Sequence, residues 1–227
     1  MTMPMALGNE ELEARARQSL GSSERAIHRM VADAIDAHGL GGGRLVDVGC
    51  GGGALWRELS GRFSSYCGLD AVRYGAFPAD LEFRAVDLDS AAWPIEPESA
   101  DLVVAIETIE HLENPWAFLR QLASIARPGA GVIVTTPNQL SLLSLLTLVA
   151  KRRFSAFQDV HYPAHRTALL AIDLYRAAIA AGLVVSSIAF SRSGRFPLTP
   201  WHYPAGLSSA FPGALSDNQM IVARRPT

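Results

Sequence analysis

The sequence predicts an α/β fold in which a largely parallel β-sheet is covered by helices on both faces. Short segments rich in valine, isoleucine and leucine recur along the chain, and helical patterns lie between several of them. Strands that are buried on both faces form continuous apolar runs, which is typical of parallel sheets with crossover helices. The predicted strands are residues 44–49, 66–70, 82–87, 102–106 and 132–136, followed near the C-terminus by residues 183–190 and 219–223.

Apolar stripes predict the helices between these strands. In residues 9–38 an apolar residue recurs at helical spacing, and the stripe consists of Ile27, Met30, Val31, Ala34 and Ile35. Glycines split this pattern near residue 21 and end it after residue 38. We expect residues 1–43 to be a helical segment that packs on a domain of residues 44–227. A second helix should begin at Asn114 and Pro115, and a third should cover residues 168–181.

The composition is that of a folded domain with a small net charge. Of the 227 residues, 49% are hydrophobic and 19% are charged, which excludes a disordered chain. The net charge of −2 predicts no nucleic-acid partner, and two cysteines are typical of a reducing compartment. The longest apolar run, residues 140–150, is shorter than the roughly 20 residues that span a bilayer. Because no secretory signal pattern is present either, the sequence predicts a cytoplasmic protein.

A glycine-dense turn follows the first predicted strand. Residues 45–53 are Leu-Val-Asp-Val-Gly-Cys-Gly-Gly-Gly, and a helical segment begins directly after them. Glycine allows positive φ and lets a ligand approach bare backbone, so such a turn is typical of cofactor sites. The spacing of Gly49, Gly51 and Ala54 also satisfies the dinucleotide fingerprint. The turn alone therefore leaves the cofactor open.

Carboxylates mark the ends of the first three predicted strands. Asp47 lies two residues before Gly49, where it would meet a cationic amine, while Asp70 ends the second strand and Asp87 ends the third. The carboxyl ends of parallel strands meet at one edge of a sheet, and a carboxylate after the second strand is the usual partner of ribose hydroxyls. The sequence therefore predicts one cofactor crevice at this edge.

These motifs and their order resemble those of the class I S-adenosylmethionine-dependent methyltransferases of the small single-domain type. The resemblance covers roughly residues 44–190. It implies a Rossmann-like three-layer sandwich with a seven-stranded sheet of order 3-2-1-4-5-7-6, and S-adenosylmethionine as cofactor. It also implies that Asp70 contacts the ribose and Asp87 lies near the adenine. The implied cofactor-binding residues are Asp47, Gly49, Cys50, Gly51, Asp70, Asp87, Leu88 and Ile106.

A cluster of carboxylates and a histidine follows the fourth predicted strand. Glu107, Glu110 and His111 would share one face if this segment were a helical turn. The pattern resembles the metal-binding motif of ubiquinone-biosynthesis O-methyltransferases and of small-RNA 2′-O-methyltransferases. That resemblance implies Mg²⁺ or Mn²⁺ held by these three residues and a later histidine, with His161 as the candidate and His165 as its alternative. The other interpretation is that His111 orients the loop or acts as a general base without a metal.

The same cluster favours a hydroxyl as the methyl acceptor, because a hydroxyl needs a base or a metal to become a nucleophile. We therefore expect S-adenosylmethionine-dependent O-methylation of a small or lipid-like acceptor, with Glu107, Glu110 and His111 as catalytic residues. The alternatives are a catalytically silent cofactor-binding regulator, an RNA 3′-terminal 2′-O-methyltransferase and an NAD-dependent dehydrogenase. The dehydrogenase would need a second glycine loop, which the chain lacks after residue 138.

Two insertions, at about residues 139–165 and 192–217, are expected to act as lids over the acceptor. The first contains an apolar helix followed by Lys151, Arg152 and Arg153. It is compatible with a lid, with a helix packed on the core, and with peripheral contact to a membrane surface. The second is rich in proline and aromatic residues, which suit either contact with an acceptor or a dimer surface. Both a monomer and a homodimer remain compatible with the sequence.

Overall fold

The computed structural model describes residue 21 and residues 23–227, and within them it contains the predicted α/β sandwich. Seven strands form one sheet of order β3-β2-β1-β4-β5-β7-β6. The first five are mutually parallel, and β7 runs antiparallel to both of its neighbours. This order confirms the fold class. The strands are β1 (Arg44–Val48), β2 (Ser65–Asp70), β3 (Glu82–Ala85), β4 (Ala100–Ala105), β5 (Ala126–Pro137), β6 (Val184–Phe190) and β7 (Asn218–Arg224).

Helices cover both faces of this sheet and divide the core into two apolar layers. One layer packs α1 and α2 against the sheet, and the other packs α3 and α5 against the opposite face. The helices are α1 (Arg25–Ala37), α2 (Ala54–Leu59), α3 (Pro115–Ile125), α4 (Leu142–Lys151), α5 (Ala171–Ala180) and α6 (Ala205–Ala210). Within the part of the chain that the structure describes, no helix is long and apolar enough to cross a membrane.

The predicted apolar stripes account for the packing of the helices. All five stripe residues of α1 are buried, so α1 closes one face of the sheet. The Asn114 side chain caps α3 by accepting a hydrogen bond from the Ala117 N–H at 2.9 Å, with Pro115 at the first helical position. Residues 1–20 and 22, which include much of the predicted N-terminal helix, lie outside the described residues. The proposed division at residue 43 stays a prediction.

Some predicted boundaries were wrong. Strand β3 ends at Ala85, so Asp87 does not end the strand but lies two residues beyond it. A turn takes the chain away from the sheet there, because the Asp87 carboxylate accepts a hydrogen bond from the Asp89 N–H at 3.0 Å. Strand β5 begins earlier than expected, at Ala126, because Ala100 of β4 pairs with it. Helix α5 begins at Ala171, three residues later than predicted.

Helix α4 does not pack on the core as one of the interpretations required. Its only buried residue is Ser144. Four of its apolar side chains are 39–85% exposed, namely Leu142, Leu145, Leu146 and Val149. The helix lies instead beside the second insertion, and the two enclose a cavity that is described below.

Candidate functional site

The glycine turn after β1 forms the floor of a cavity. Gly49 and Gly51 have φ values of 74° and 49°, in the left-handed region where a side chain is strained. A Cβ atom at Gly49 would overlap the Thr108 side chain, and one at Gly51 would overlap the backbone carbonyl of Gly21. Both positions therefore require glycine, which explains the glycine density seen in the sequence.

Asp70 fixes the conformation of this turn from the end of β2. Its carboxylate accepts hydrogen bonds from the Gly51 N–H at 2.9 Å and from the Ala71 N–H at 2.7 Å. Burial raises the pKa of Asp70, while these backbone N–H donors act in the opposite direction. A carboxylate at this place also faces the cavity, so it both orders the turn and presents an acceptor to a ligand.

Asp47 lies below the turn, in strand β1, and is almost completely buried. Its carboxylate accepts a hydrogen bond from the Tyr66 hydroxyl at 2.8 Å. Burial raises the pKa of Asp47 to about 7, and the nearby Asp70 adds to the shift, although the Tyr66 hydroxyl opposes it. This group is therefore poised between its neutral and charged forms near neutral pH.

The cavity has a volume of about 440 Å³ and lies at the carboxyl ends of β1, β2 and β4. It collects almost all of the residues that the sequence predicted for the cofactor. Of the predicted cofactor residues, only Gly51 does not line the cavity. Its backbone N–H donates a hydrogen bond to Asp70, which does line it. The predicted residues that line it are Asp47, Gly49, Cys50, Asp70, Asp87, Leu88 and Ile106.

The predicted carboxylate–histidine cluster lines the same cavity. Glu107 follows β4 with a φ of 48°, and Glu110 and His111 belong to a single 3₁₀ turn at Ile109–His111. The expectation that Glu107 shares a helical face with the other two is wrong, because this turn begins after it. The Glu107 carboxylate instead accepts hydrogen bonds from Thr135 Oγ1 at 2.9 Å and Asn218 Nδ2 at 2.7 Å. Burial raises its pKa to about 7.

Glu110 is fully buried and only partly hydrogen-bonded. Its Oε2 accepts a hydrogen bond from Thr136 Oγ1 at 3.2 Å, whereas its Oε1 has no hydrogen-bond partner within the described residues. Burial raises the pKa of Glu110 well above the usual value for glutamate, and the Glu107 charge raises it further. A buried carboxylate oxygen without a donor is costly unless a ligand or ion completes it.

Two histidines surround this carboxylate. His111 Nδ1 lies 2.9 Å from the Ala164 carbonyl oxygen, and His165 Nδ1 lies 2.6 Å from the Ala156 carbonyl oxygen. Because a carbonyl only accepts, each Nδ1 carries the proton and each Nε2 carries the lone pair. One ligand atom each from Glu110, His111 and His165 lie within 4.8 Å of one another. This is the tautomer and donor set that suits a divalent cation.

His161 and Glu107 stand at the edge of this group. The His161 ring stacks on that of His165 with the centroids 5.4 Å apart, and its Nδ1 accepts a hydrogen bond from the Gln158 N–H. The structure thus brings His165 rather than His161 together with Glu110 and His111. Both His161 and Glu107 line the cavity, and their assignment as metal ligands stays a prediction.

Several residues of the site escaped sequence reasoning. The hydrogen-bond donors to Glu107 are Thr135 at the end of β5 and Asn218 at the start of β7, and the donor to Glu110 is Thr136. No sequence motif indicated these three residues. His28 on α1 lines the cavity and is buried, and burial lowers its pKa. Its place beside Ile27 in the apolar stripe was the one available signal.

The sheet order and the glycine-floored cavity define a class I S-adenosylmethionine-dependent methyltransferase. A family model described as a methyltransferase domain matches residues 15–187, and the chain belongs to this family. The identity of the family favours methyl transfer over the dehydrogenase alternative, for which the described residues offer no second glycine loop.

Curated relatives include ubiquinone biosynthesis O-methyltransferases. The chain is similar to that of Aeromonas salmonicida (27% identity over 155 residues, 65% of each chain). It is also similar to that of Neisseria meningitidis serogroup C (32% identity over 125 residues, 50% of this chain and 52% of the relative). The matched region therefore spans about half to two thirds of these relatives.

Solved structures of the same fold include S-adenosylmethionine-dependent methyltransferases from two organisms. That of Archaeoglobus fulgidus aligns with a TM-score of 0.63 at 15% identity, covering 92% of this chain and 97% of the other. That of Mesorhizobium loti aligns with a TM-score of 0.57 at 17% identity, covering 85% and 96%. At these identities the likeness concerns the fold.

Proposed function

We propose that the protein transfers a methyl group from S-adenosylmethionine to a hydroxyl of a small or lipid-like acceptor. The observation that carries the proposal is the buried Glu110 carboxylate, whose Oε1 lacks a donor within the described residues. One oxygen of this carboxylate and one ring nitrogen each of His111 and His165 lie within 4.8 Å of one another. This donor set is suited to activating a hydroxyl. The curated relatives, which are named as O-methyltransferases, support the same acceptor chemistry.

The cofactor side of the cavity fits S-adenosylmethionine. Gly49 lines the cavity without a side chain, and Asp70 presents its carboxylate at the strand end where ribose hydroxyls bind. We assign Asp87, Leu88 and Ile106 to the adenine side and Asp47 and Cys50 to support of the glycine turn. When bound, the cofactor supplies an activated methyl group on a sulfonium, so the protein's task is positioning and deprotonation of the acceptor.

The Glu110–His111–His165 group fits a divalent cation such as Mg²⁺ or Mn²⁺. Mixed carboxylate and imidazole donors suit Mn²⁺, and the unsatisfied Glu110 oxygen is the position that a cation would complete. A bound cation would lower the pKa of an acceptor hydroxyl. Glu107 and His161 are the candidates for additional ligands from the surrounding wall. Without a cation, His111 Nε2 has the tautomer of a general base.

A calorimetric Mn²⁺ titration of protein loaded with S-adenosylhomocysteine tests the cation site. We expect saturable one-site binding to the wild type and its loss in Glu110→Gln. Glu96→Gln is the matched control, because Glu96 is an exposed carboxylate away from the cavity. Binding that persists unchanged in Glu110→Gln would contradict the cation site.

Methyl transfer to catechol, compared with transfer to aniline, tests the acceptor chemistry. We expect methylated catechol as the product, with turnover falling at least roughly tenfold in His111→Ala, which loses the lone pair beside Glu110. The Glu96→Gln control should retain wild-type turnover. Methylation of aniline but not of catechol would contradict a hydroxyl acceptor.

A further inference from the structure

A second cavity of about 330 Å³ adjoins the first, between α4 and the chain that follows β6. Its lining includes Leu143 on α4 and Phe196 on the second insertion, and the fully exposed Leu198 lies at its rim. The two cavities share part of their lining, namely Ser155, His161 and Arg195. The space around the Glu110 group therefore continues past Arg195 into a compartment built by both insertions.

Arg195 carries the only permanent positive charge that the described residues place in the lining of either cavity. The first cavity is otherwise rich in carboxylates, which are Glu24, Asp47, Asp70, Asp87, Glu107, Glu110 and Asp217. None of these carboxyl groups offers a positive partner to an anionic group of a ligand. Arg195, at the junction of the two cavities, is the one place where such a group gains a partner.

The Arg195 guanidinium is ion-paired with Asp217 through its Nε, which leaves its two Nη groups accessible. Asp217 Oδ2 accepts hydrogen bonds from the Arg195 backbone N–H at 3.2 Å and from its Nε at 3.0 Å. The side chain remains 50% exposed. No other hydrogen bond of this guanidinium forms within the described part of the chain, so its two Nη groups can take both oxygens of one anion.

A row of imidazoles connects Arg195 with the Glu110 group. The His111 and His165 ring centroids are 4.7 Å apart, and those of His165 and His161 are 5.4 Å apart. His161 and Arg195 both line the two cavities. The imidazole row thus runs from the Glu110 group toward the anion-binding position.

We infer that the acceptor carries an anionic group, a carboxylate or a phosphate, which Arg195 binds while the acceptor hydroxyl lies at Glu110, His111 and His165. The inference rests on the proposed function for the hydroxyl end. It assigns the acceptor to hydroxy acids or phosphate esters in which the anionic group and the methylated hydroxyl lie at opposite ends of the molecule. Arg195 is in this view a specificity-determining residue.

Equilibrium binding of dihydrocaffeate and of its methyl ester to S-adenosylhomocysteine-loaded protein tests the inference. The two probes share the catechol and differ only in the charged end. We expect the wild type to bind the acid about tenfold more tightly, as a charge-assisted hydrogen bond at a half-exposed site provides. Arg195→Gln should lose this preference and leave the affinity for the ester unchanged, and Arg195→Lys should recover part of it. A catechol phosphonate distinguishes the two anions: a site that prefers phosphate would bind the phosphonate more tightly than dihydrocaffeate.

Arg192→Gln is the matched control, because it removes the same charge from the same exposed segment outside both cavity linings. It should keep the preference for the acid. Asp217→Asn separates anion binding from anchoring: it should also keep the preference, whereas an anchoring role alone would make it resemble Arg195→Gln. Equal affinity of wild type for acid and ester, failure of both to bind, or weaker S-adenosylhomocysteine binding in Arg195→Gln would each overturn the inference. Methylation of the ester, measured separately, reports on the proposed function alone.

Discussion

Replacing Asp47 by asparagine should stabilise the protein relative to wild type by an amount that grows as the pH rises. Burial raises the pKa of Asp47 to about 7 in the folded protein, whereas an aspartate in an unfolded chain titrates near 3.9. Between these values the folded state holds a proton that the unfolded chain has lost. The contribution of Asp47 to stability is therefore fully present below about pH 4 and is lost as the pH rises through 7.

The difference in proton binding between the folded and unfolded states sets the size of this pH-dependent loss of stability. Between about pH 5.5 and about pH 8, the fraction of protonated Asp47 in the folded state falls from nearly one to about one tenth. Integrating that occupancy, at 1.36 kcal/mol per unit of pKa, gives about 2 kcal/mol of lost stability. The asparagine of the Asp47→Asn variant would keep an acceptor for the Tyr66 hydroxyl without a charge to bury, so the variant escapes this loss.

Urea unfolding at both pH values, followed by tryptophan fluorescence, measures the difference. Wild type and Asp47→Asn should differ by about 2 kcal/mol more at the higher pH, and the exposed Asp80→Asn control should show no such change. Tyr66→Phe removes the hydroxyl that lowers the Asp47 pKa, so it should steepen the wild-type dependence. A difference between wild type and Asp47→Asn that stays constant to within about 0.5 kcal/mol would refute the reasoning.

Three further predictions follow from the same cavity. Asp70→Ala should weaken S-adenosylhomocysteine binding at least roughly tenfold in calorimetry, because Asp70 orders the glycine turn. Asp80→Ala should leave this binding unchanged. Equal affinities of the two variants for S-adenosylhomocysteine would contradict the role of Asp70. Gly51→Ala should lower both the melting temperature and the cofactor affinity, because the added Cβ atom would overlap the backbone of Gly21. Gly61→Ala, which has open space around it, should cost only about 1 kcal/mol of backbone strain. Identical effects of the two substitutions would count against the steric argument. Glu110→Gln should stabilise the cation-free protein at neutral pH by about 1–3 kcal/mol in urea unfolding, since it removes a buried carboxylate; destabilisation would show that this charge is already compensated.

Local patterns predicted those parts of the fold that depend on neighbouring residues. The apolar stripe of α1 and the Asn114 cap of α3 were confirmed. The sheet order, which the family resemblance implied, was confirmed as well. Strand ends were less predictable, because they depend on the partner strand. Strand β3 ends before Asp87, because the Asp87 side chain stabilises a turn. Strand β5 begins at Ala126, earlier than predicted, because Ala126 pairs with Ala100 of β4.

The candidate site was predictable where it depends on one segment and not where it depends on several. Glu110 and His111 could be singled out because they follow β4 directly. The choice between His161 and His165 could not be made, since it depends on how residues 156–165 fold back onto the 3₁₀ turn. There the Ala156 and Ala164 carbonyls orient His165 and His111.

By itself the sequence determined the α/β class, the glycine turn and the place of Asp70 at the end of β2, because steric limits on φ and the pattern of apolar burial act over a few residues. Only the tertiary structure decided how each carboxylate is satisfied. The antiparallel strand β7 lies beside β5 and brings Asn218 to Glu107 across 111 positions of sequence. Glu110, in contrast, keeps one oxygen without a donor in the described residues. That difference arises from contacts between distant segments, which no local pattern records.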